Sequence, residues 1–157
     1  MKISHEHVVH ELPDSWWNSA LMQGFVPGRQ SFRADTGTYP GLPILELSPH
    51  EVEPLVRQLA YGMFRDQQSV ASILTAFRQD IPLPPVQVVR AAQPEGKYPF
   101  SLQDGGHRFY AALAARFLRV PAVDVTCVRF SGPEIYLNGR LVGLKGESAR
   151  QGRPTMR

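Results

Sequence analysis

The chain has 157 residues, of which 43% are hydrophobic and 20% are charged. This length and composition indicate one globular domain with one core and leave no room for a second domain. The formal net charge is +3, but residues 145–157 contain four basic side chains and one acidic one. The rest of the chain is therefore neutral overall. The sequence pI near 9.3 reflects a short basic tail, which could contact nucleic acid only weakly.

The sequence also bears on the cellular compartment. The single cysteine, Cys127, excludes an internal disulfide and is typical of a reducing cytoplasm. The N-terminus lacks an apolar signal segment, and no apolar run is long enough to cross a bilayer. We therefore expect a cytoplasmic protein without membrane association, whose last residues, 147–157, are disordered.

Residues 1–43 form an N-terminal extension without clear periodicity. Turn-rich stretches predict mostly loop, with a short helix around Trp16 to Met22. His5, His7 and His10 suggest a metal site, but the zincin pattern HExxH requires histidine at position 9, which is valine. A frayed terminus is the simpler interpretation. Aromatic residues in this extension could dock a partner, although covering the domain's own core is the favoured interpretation: Trp16, Trp17, Phe25, Phe32 and Tyr39.

The chain becomes regular from residue 42. A short strand ends near Leu47, and Ser48 to Glu51 reads SPHE, a capping box with proline at the first helical position. Pro54 cannot donate the hydrogen bond that a helix begun at Ser48 requires there. The regular helix is therefore expected to begin at Pro54, which leaves SPHE as a turn and Glu51 less committed to capping.

The following elements alternate between helix and strand. A helix is predicted over Asp66 to Gln79, a strand over Val86 to Val89 and another over Tyr98 to Leu102. The periodicity after Asp104 predicts a further helix. A closing strand follows over Val123 to Cys127, with Cys127 on the apolar side, buried and inert. Asn138-Gly139 predicts a hairpin within residues 129–146. The order of elements indicates a small α/β domain.

The stretch LQDGGHRFYAAL, residues 102–113, contains the candidate site. A strand ends in Asp104, two glycines turn the chain, and His107 and Arg108 open a helix. Free N–H groups, the helix dipole and an arginine fork favour phosphate. Asp104 would repel phosphate unless it bound Mg²⁺ or served as a base. The alternative is purely structural: Asp104 caps the helix, the glycines turn the chain and Arg108 pairs with a surface carboxylate.

Residues 45–128 resemble the ParB/sulfiredoxin-like superfamily. The resemblance rests on DGGHRFYAAL, on RVPAVDV and on the Pro-Pro entry to the strand at Val86. It implies a small single domain over residues 44–128 with a compact mixed sheet and about three helices. It also implies that Gly105, Gly106, His107 and Arg108 bind nucleotide phosphates. Sulfiredoxins carry a catalytic cysteine where this chain has Gly106, so their thiol chemistry is not expected here.

Within that superfamily the chain is most similar to the free serine kinases, which combine a PHE segment with DGHHR. The matching residues are Pro49, His50 and Glu51, and the DGGHR motif, in which Gly106 replaces the first histidine. The resemblance implies a nucleotide (ATP, ADP or CTP), Mg²⁺ on Asp104, a small hydroxyl acceptor and Glu51 as catalytic base. Such chemistry is phosphoryl transfer or nucleotide hydrolysis, with His107 donating to a phosphate oxygen. The alternatives are a ParB-like nuclease or DNA-associated module, and a non-catalytic module that senses nucleotide or binds a protein.

Overall fold

The protein begins with a β-hairpin and a short helix. In the computed structural model, which describes residues 1–55, 63–92, 95–131, 134–137 and 140–144, strands β1 (Lys2–His5) and β2 (Val8–Glu11) pair antiparallel. Helix α1 (Asp14–Ser19) follows. The N-terminal ammonium donates to the Leu12 carbonyl and to the Asp14 carboxylate, both at 2.6 Å. The start of the chain is therefore tied to the body.

A five-stranded mixed sheet forms the centre of the structure. Its strands are β3 (Leu45–Leu47), β4 (Val52–Glu53), β5 (Val86–Arg90), β6 (Phe100–Asp104) and β7 (Val120–Asp124). The spatial order is β3-β7-β5-β6-β4. Strands β3 and β7 pair antiparallel, as do β5 and β6, whereas β5 pairs parallel with β7 and β4 parallel with β6. The start of β5 lies beside the end of β6, because Gln87 pairs with Asp104.

Two longer helices pack in the core. Helix α2 (Gln67–Gln79) begins at the N-cap Asp66 and ends at Asp80 in the left-handed conformation. Helix α3 (Gly106–Ala114) contributes the fully buried Phe109 and Tyr110. Both helices were predicted at these positions. The described residues therefore form a small mixed α/β domain with three α-helices, none of which is long and apolar enough to cross a membrane.

A second sheet contains the C-terminal hairpin. Its strands are β8 (Val128–Ser131), β9 (Glu134–Leu137) and β10 (Arg140–Leu144), and both pairings are antiparallel. Leu137 pairs with Arg140, so the predicted hairpin is confirmed by its strands. Its turn, Asn138-Gly139, lies outside the described residues, and so does the tail 147–157. Most of the helix predicted from Pro54 also lies outside them, because the structure describes only Pro54, Leu55 and the residues from Met63 onward.

The N-terminal histidines correct one expectation. Residues expected to fray instead form the hairpin of β1 and β2, in which His5 and His10 are buried. The alternation IxHxxVxH places both rings on the inner face. The short helix starts at Asp14 rather than Trp16, whereas Trp16 and Trp17 pack against the core as expected.

His5 ties this hairpin to α3. The Pro49 carbonyl can only accept, so Nε2 of His5 donates to it at 2.8 Å, and Nδ1 accepts from the Tyr110 hydroxyl, also at 2.8 Å. The same hydroxyl accepts from the Leu55 N–H at 3.0 Å. The Tyr110 ring also meets the His10 ring edge-on at 4.4 Å. Burial raises the pKa of Tyr110 to about 12, so its hydroxyl remains a donor.

The predicted environment of Cys127 is wrong. Strand β7 ends at Asp124, whose carboxylate accepts from the Thr126 N–H at 2.9 Å and from its hydroxyl at 2.5 Å. This local turn interrupts the alternation from which Cys127 was assigned to the apolar face. Val125 remains buried, but Cys127 falls in the turn and is exposed.

We expect acid to destabilise the fold through the two buried histidines. Burial lowers the pKa of His5 and of His10 below the ordinary 6.5, so the unfolded chain binds protons before the folded one. The free energy of unfolding should therefore decrease as the pH falls below about 6.5. Urea titrations between pH 8 and pH 5 test this.

The exposed His7 provides the matched control. Substitution His5→Gln or His10→Gln should reduce the pH dependence of the unfolding free energy, whereas His7→Gln should leave it unchanged. Equal pH dependence in all three variants would contradict the assignment.

Candidate functional site

The N-terminus of α3 carries backbone donors that the helix itself leaves unbonded. Strand β6 ends at Asp104, Gly105 turns the chain, and the first helical bond runs from the Phe109 N–H to the Gly105 carbonyl at 2.9 Å. The N–H groups of Gly106, His107 and Arg108 precede this bond and have no partner within the helix. The helix has no side-chain cap and no acidic residue in its first turn. The alternative in which Asp104 caps the helix is therefore wrong.

Gly105 makes this arrangement possible. Its φ is +97°, a conformation that residues with a side chain rarely adopt. A Cβ at this position would lie 2.8 Å from Cγ1 of Val86 and 3.0 Å from a terminal nitrogen of Arg108. Strand β5, the turn and the Arg108 guanidinium therefore pack together more closely than a side chain would permit.

A cavity of about 320 Å³ opens over this turn. We call it the α3 cavity. All five motif residues line it, from Asp104 to Arg108, as do Arg65 from the segment before α2 and Leu55 after β4. The described residues that line it are Leu55, Met63, Arg65, Leu102, Gln103, Asp104, Gly105, Gly106, His107 and Arg108. The charged side chains among these residues are two arginines and one aspartate.

Arg108 extends back across the turn. Burial lowers the pKa of its guanidinium, and the nearby Asp104 carboxylate opposes that shift. An arginine remains protonated at any physiological pH. Its Nε is buried and has no hydrogen-bond partner among the described residues. Because a desolvated cation with an unused donor gains more from an anion than a solvated one, Arg108 favours an anionic ligand.

His107 faces the start of α2. Its ring stacks on Phe64 at 6.0 Å between centroids, with the planes 25° apart. Asp66 caps α2 by accepting from the Gln68 N–H at 3.1 Å and from the Ser69 hydroxyl at 2.6 Å. The Ser69 hydroxyl lowers the pKa of Asp66 most, and the nearby His107 adds a smaller effect of the same sign. Phe64 therefore packs against the imidazole at the cavity wall, and the Asp66 carboxylate lies near it.

The structure does not bring Glu51 into the α3 cavity. Its carboxylate accepts from the Ser48 N–H at 2.9 Å, which completes the capping box around a single 3₁₀ turn over Pro49–Glu51. SPHE is thus a turn, as expected, but Glu51 is committed to capping it. Val52 pairs with Phe100, so Glu51 is level with Pro99, five residues before Asp104. Five residues of strand span about 16 Å.

Several residues of the α3 cavity were not identified from sequence. Leu55, Met63 and Arg65 are far from the motif along the chain and reach it only through the tertiary structure. The sequence offered one indication for Arg65: it precedes the N-cap Asp66, so its cation lies near the start of a helix. The sequence offered no such indication for Leu55 and Met63, since leucine and methionine are ordinary core residues.

Among the described residues, Asp104 is the only carboxylate that lines the α3 cavity. Within the described part of the chain, no three histidine, cysteine, aspartate or glutamate side chains cluster as metal ligands. Mg²⁺ commonly uses one or two carboxylates together with substrate phosphates and water. A single carboxylate, that of Asp104, is therefore compatible with a Mg²⁺ ion whose other ligands are phosphate and water oxygens.

Comparison with known proteins gave no match: no family model, no curated protein and no solved structure is significantly similar to this chain.

We expect the two glycines of the turn to respond differently to substitution. Gly105→Ala should destabilise the protein by about 1–3 kcal/mol, because it combines a strained φ with a clash against Val86. A Cβ on Gly106 would lie 3.5 Å from Leu55 and Met63, an ordinary contact. Gly106→Ala should therefore change stability by less than about 1 kcal/mol. Urea unfolding of both variants tests this, and equal losses would refute the account of Gly105.

Proposed function

We propose that the α3 cavity binds the phosphates of a nucleotide and catalyses phosphoryl transfer or nucleotide hydrolysis, as in a ParB/sulfiredoxin-like domain. The observation that carries the proposal is the uncapped N-terminus of α3, which opens into a cavity lined by Arg108 and His107. Free amides and the helix dipole attract anions. At about 320 Å³, the cavity is at the lower end of small-molecule sites, which span about 300–1,000 Å³.

Phosphate oxygens would accept from the three free N–H groups of the turn and from Arg108. His107 would donate from the cavity wall, where its ring stacks on Phe64. Phosphoryl transfer requires mainly positioning and charge stabilisation. Backbone amides and a half-buried guanidinium would supply this positioning and this charge stabilisation, because the fold holds them in place before a ligand binds.

Asp104 carries the other role. Its exposed carboxylate would hold Mg²⁺, which supplies neutralisation of phosphate charge, or would accept the proton of an attacking hydroxyl. The geometry favours Asp104 over Glu51 as the base, because the Glu51 carboxylate is already bonded to Ser48 and lies outside the cavity. The acceptor is a small hydroxyl compound or water.

The first expectation concerns binding. ATP, ADP, CTP or GTP with Mg²⁺, at about a hundred times its dissociation constant, should stabilise the protein by roughly 2.7 kcal/mol and raise the melting temperature by about 5–10 °C. Arg108→Gln should abolish this shift. Arg119→Gln removes the same charge from an exposed arginine that donates to the Glu46 carbonyl, and should preserve it. Thermal-shift measurements that show no stabilisation by any of these nucleotides would overturn the proposal.

The second expectation concerns catalysis. Asp104→Asn should reduce turnover, followed by phosphorus NMR, by about 100-fold or more. Glu51→Gln can still accept the Ser48 N–H and keeps the capping box, but it cannot act as a base. We expect its turnover to remain within about twofold of wild type. A large loss in this variant would restore Glu51 as the base.

These experiments, together with a plasmid-cleavage assay, separate the alternative functions. Binding without turnover would identify a nucleotide-sensing module. Cleavage of plasmid DNA in Mg²⁺ or Mn²⁺, with a steep dependence on salt, would identify a nuclease.

A further inference from the structure

A second cavity lies at the other end of α2 from the α3 cavity. It has a volume of about 330 Å³, and its base is a cluster of phenylalanines. Phe77 stacks on Phe32 at 5.5 Å and meets Phe117 edge-on at 5.1 Å, while Phe25 lies 6.1 Å from Phe117. We call it the arginine-rimmed cavity. An aromatic floor of this kind accepts an apolar side chain.

The rim is positively charged. Arg29 and Arg33 both approach one carboxylate oxygen of Asp80, at 3.9 and 3.5 Å, and all three side chains are about half exposed. Arg78, which also lines the cavity, donates from its Nε to the Ala20 carbonyl. Among the described residues, the cavity is thus lined by three guanidinium groups and one carboxylate, so its rim carries a net positive charge. It is complementary to a ligand with more than one carboxylate.

One exposed apolar side chain lines this cavity, and others stand next in sequence to residues that line it or contact its rim. The described residues include five large hydrophobic side chains that are exposed, of which Val26 is 79% exposed and lines the cavity. Ile81 follows the lining residue Asp80, Leu118 follows Phe117, and Leu21 follows Ala20, the acceptor of Arg78. Four of the five therefore either line the cavity or follow, in sequence, a residue that lines it or bonds to Arg78. Clustered exposed apolar residues with arginines and aromatics are typical of protein interfaces.

We propose that the arginine-rimmed cavity docks an acidic segment of a partner protein, which inserts one hydrophobic side chain onto the phenylalanine floor. Its carboxylates pair with Arg29, Arg33 and Arg78. The volume suits one large side chain, and the exposed Val26 offers a further apolar contact. The chain's own C-terminal residues, 145–157, are basic and would be repelled by the rim.

A pair of short peptides tests the proposal. The first has one central phenylalanine flanked on both sides by aspartates, and the second replaces every aspartate with lysine. Chemical shifts of the ¹⁵N-labelled full-length protein report where each binds. We expect the acidic peptide to shift the amides of Arg29, Arg33, Phe77 and their neighbours, and the basic peptide to leave them unchanged.

Two charge-reversal variants sharpen this test. Arg33→Glu should weaken binding of the acidic peptide at least about tenfold. Lys2→Glu changes the net charge equally on the exposed face of β1, and should alter binding by less than about twofold. No shift at millimolar acidic peptide, or equal binding of both peptides, would overturn the proposal.

Two further results would show that the cavity binds something other than a partner protein. If free N-acetylphenylalanine bound as tightly as the acidic peptide, the cavity would be a small-molecule site. If sedimentation showed a dimer that Arg33→Glu dissociates, the occupant would be a second copy of this chain. Either result overturns the proposal, whereas monomeric protein with weaker binding of the amino acid supports it.

Discussion

The close packing at Gly105 is the constraint on which the rest of the candidate site depends. Because a Cβ would lie 2.8 Å from Val86, only glycine lets the chain leave β6, turn in the left-handed conformation and enter α3 against the neighbouring strand. This turn directs the first amides of the helix into the α3 cavity. It also places Asp104 before the helix rather than over it, so the donors remain uncapped.

The electrostatics of the α3 cavity follow from this geometry. Arg108 lies across the turn, half-buried, with one donor unsatisfied within the described residues. A desolvated guanidinium is costly unless an anion approaches it, and Asp104 offsets only part of that cost. The same desolvation strengthens the attraction for phosphate, since the effective dielectric constant near the guanidinium is lower than in water. Stability and binding are therefore opposed at this residue.

Helix α2 and the N-terminal hairpin connect these features to the rest of the molecule. The residues just before α2 line the α3 cavity, whereas its last turn lines the arginine-rimmed cavity. Thirteen helical residues span about 20 Å, so the two cavities can be altered separately. The hairpin reaches the α3 cavity through Tyr110, whose hydroxyl links His5 to the backbone of Leu55, a lining residue.

The sequence by itself determined the local elements: the helix from Asp66, the glycine turn, the helix that follows it and the capping box at Ser48. Caps, periodicity and special φ values act over a few residues, so they can be read along the chain. Only the tertiary structure decided which segments meet. It placed Glu51 one strand length from Asp104, brought Arg65 to the cavity, and buried His5 and His10. These outcomes depend on sheet register and on contacts between residues distant in sequence, which local patterns do not encode.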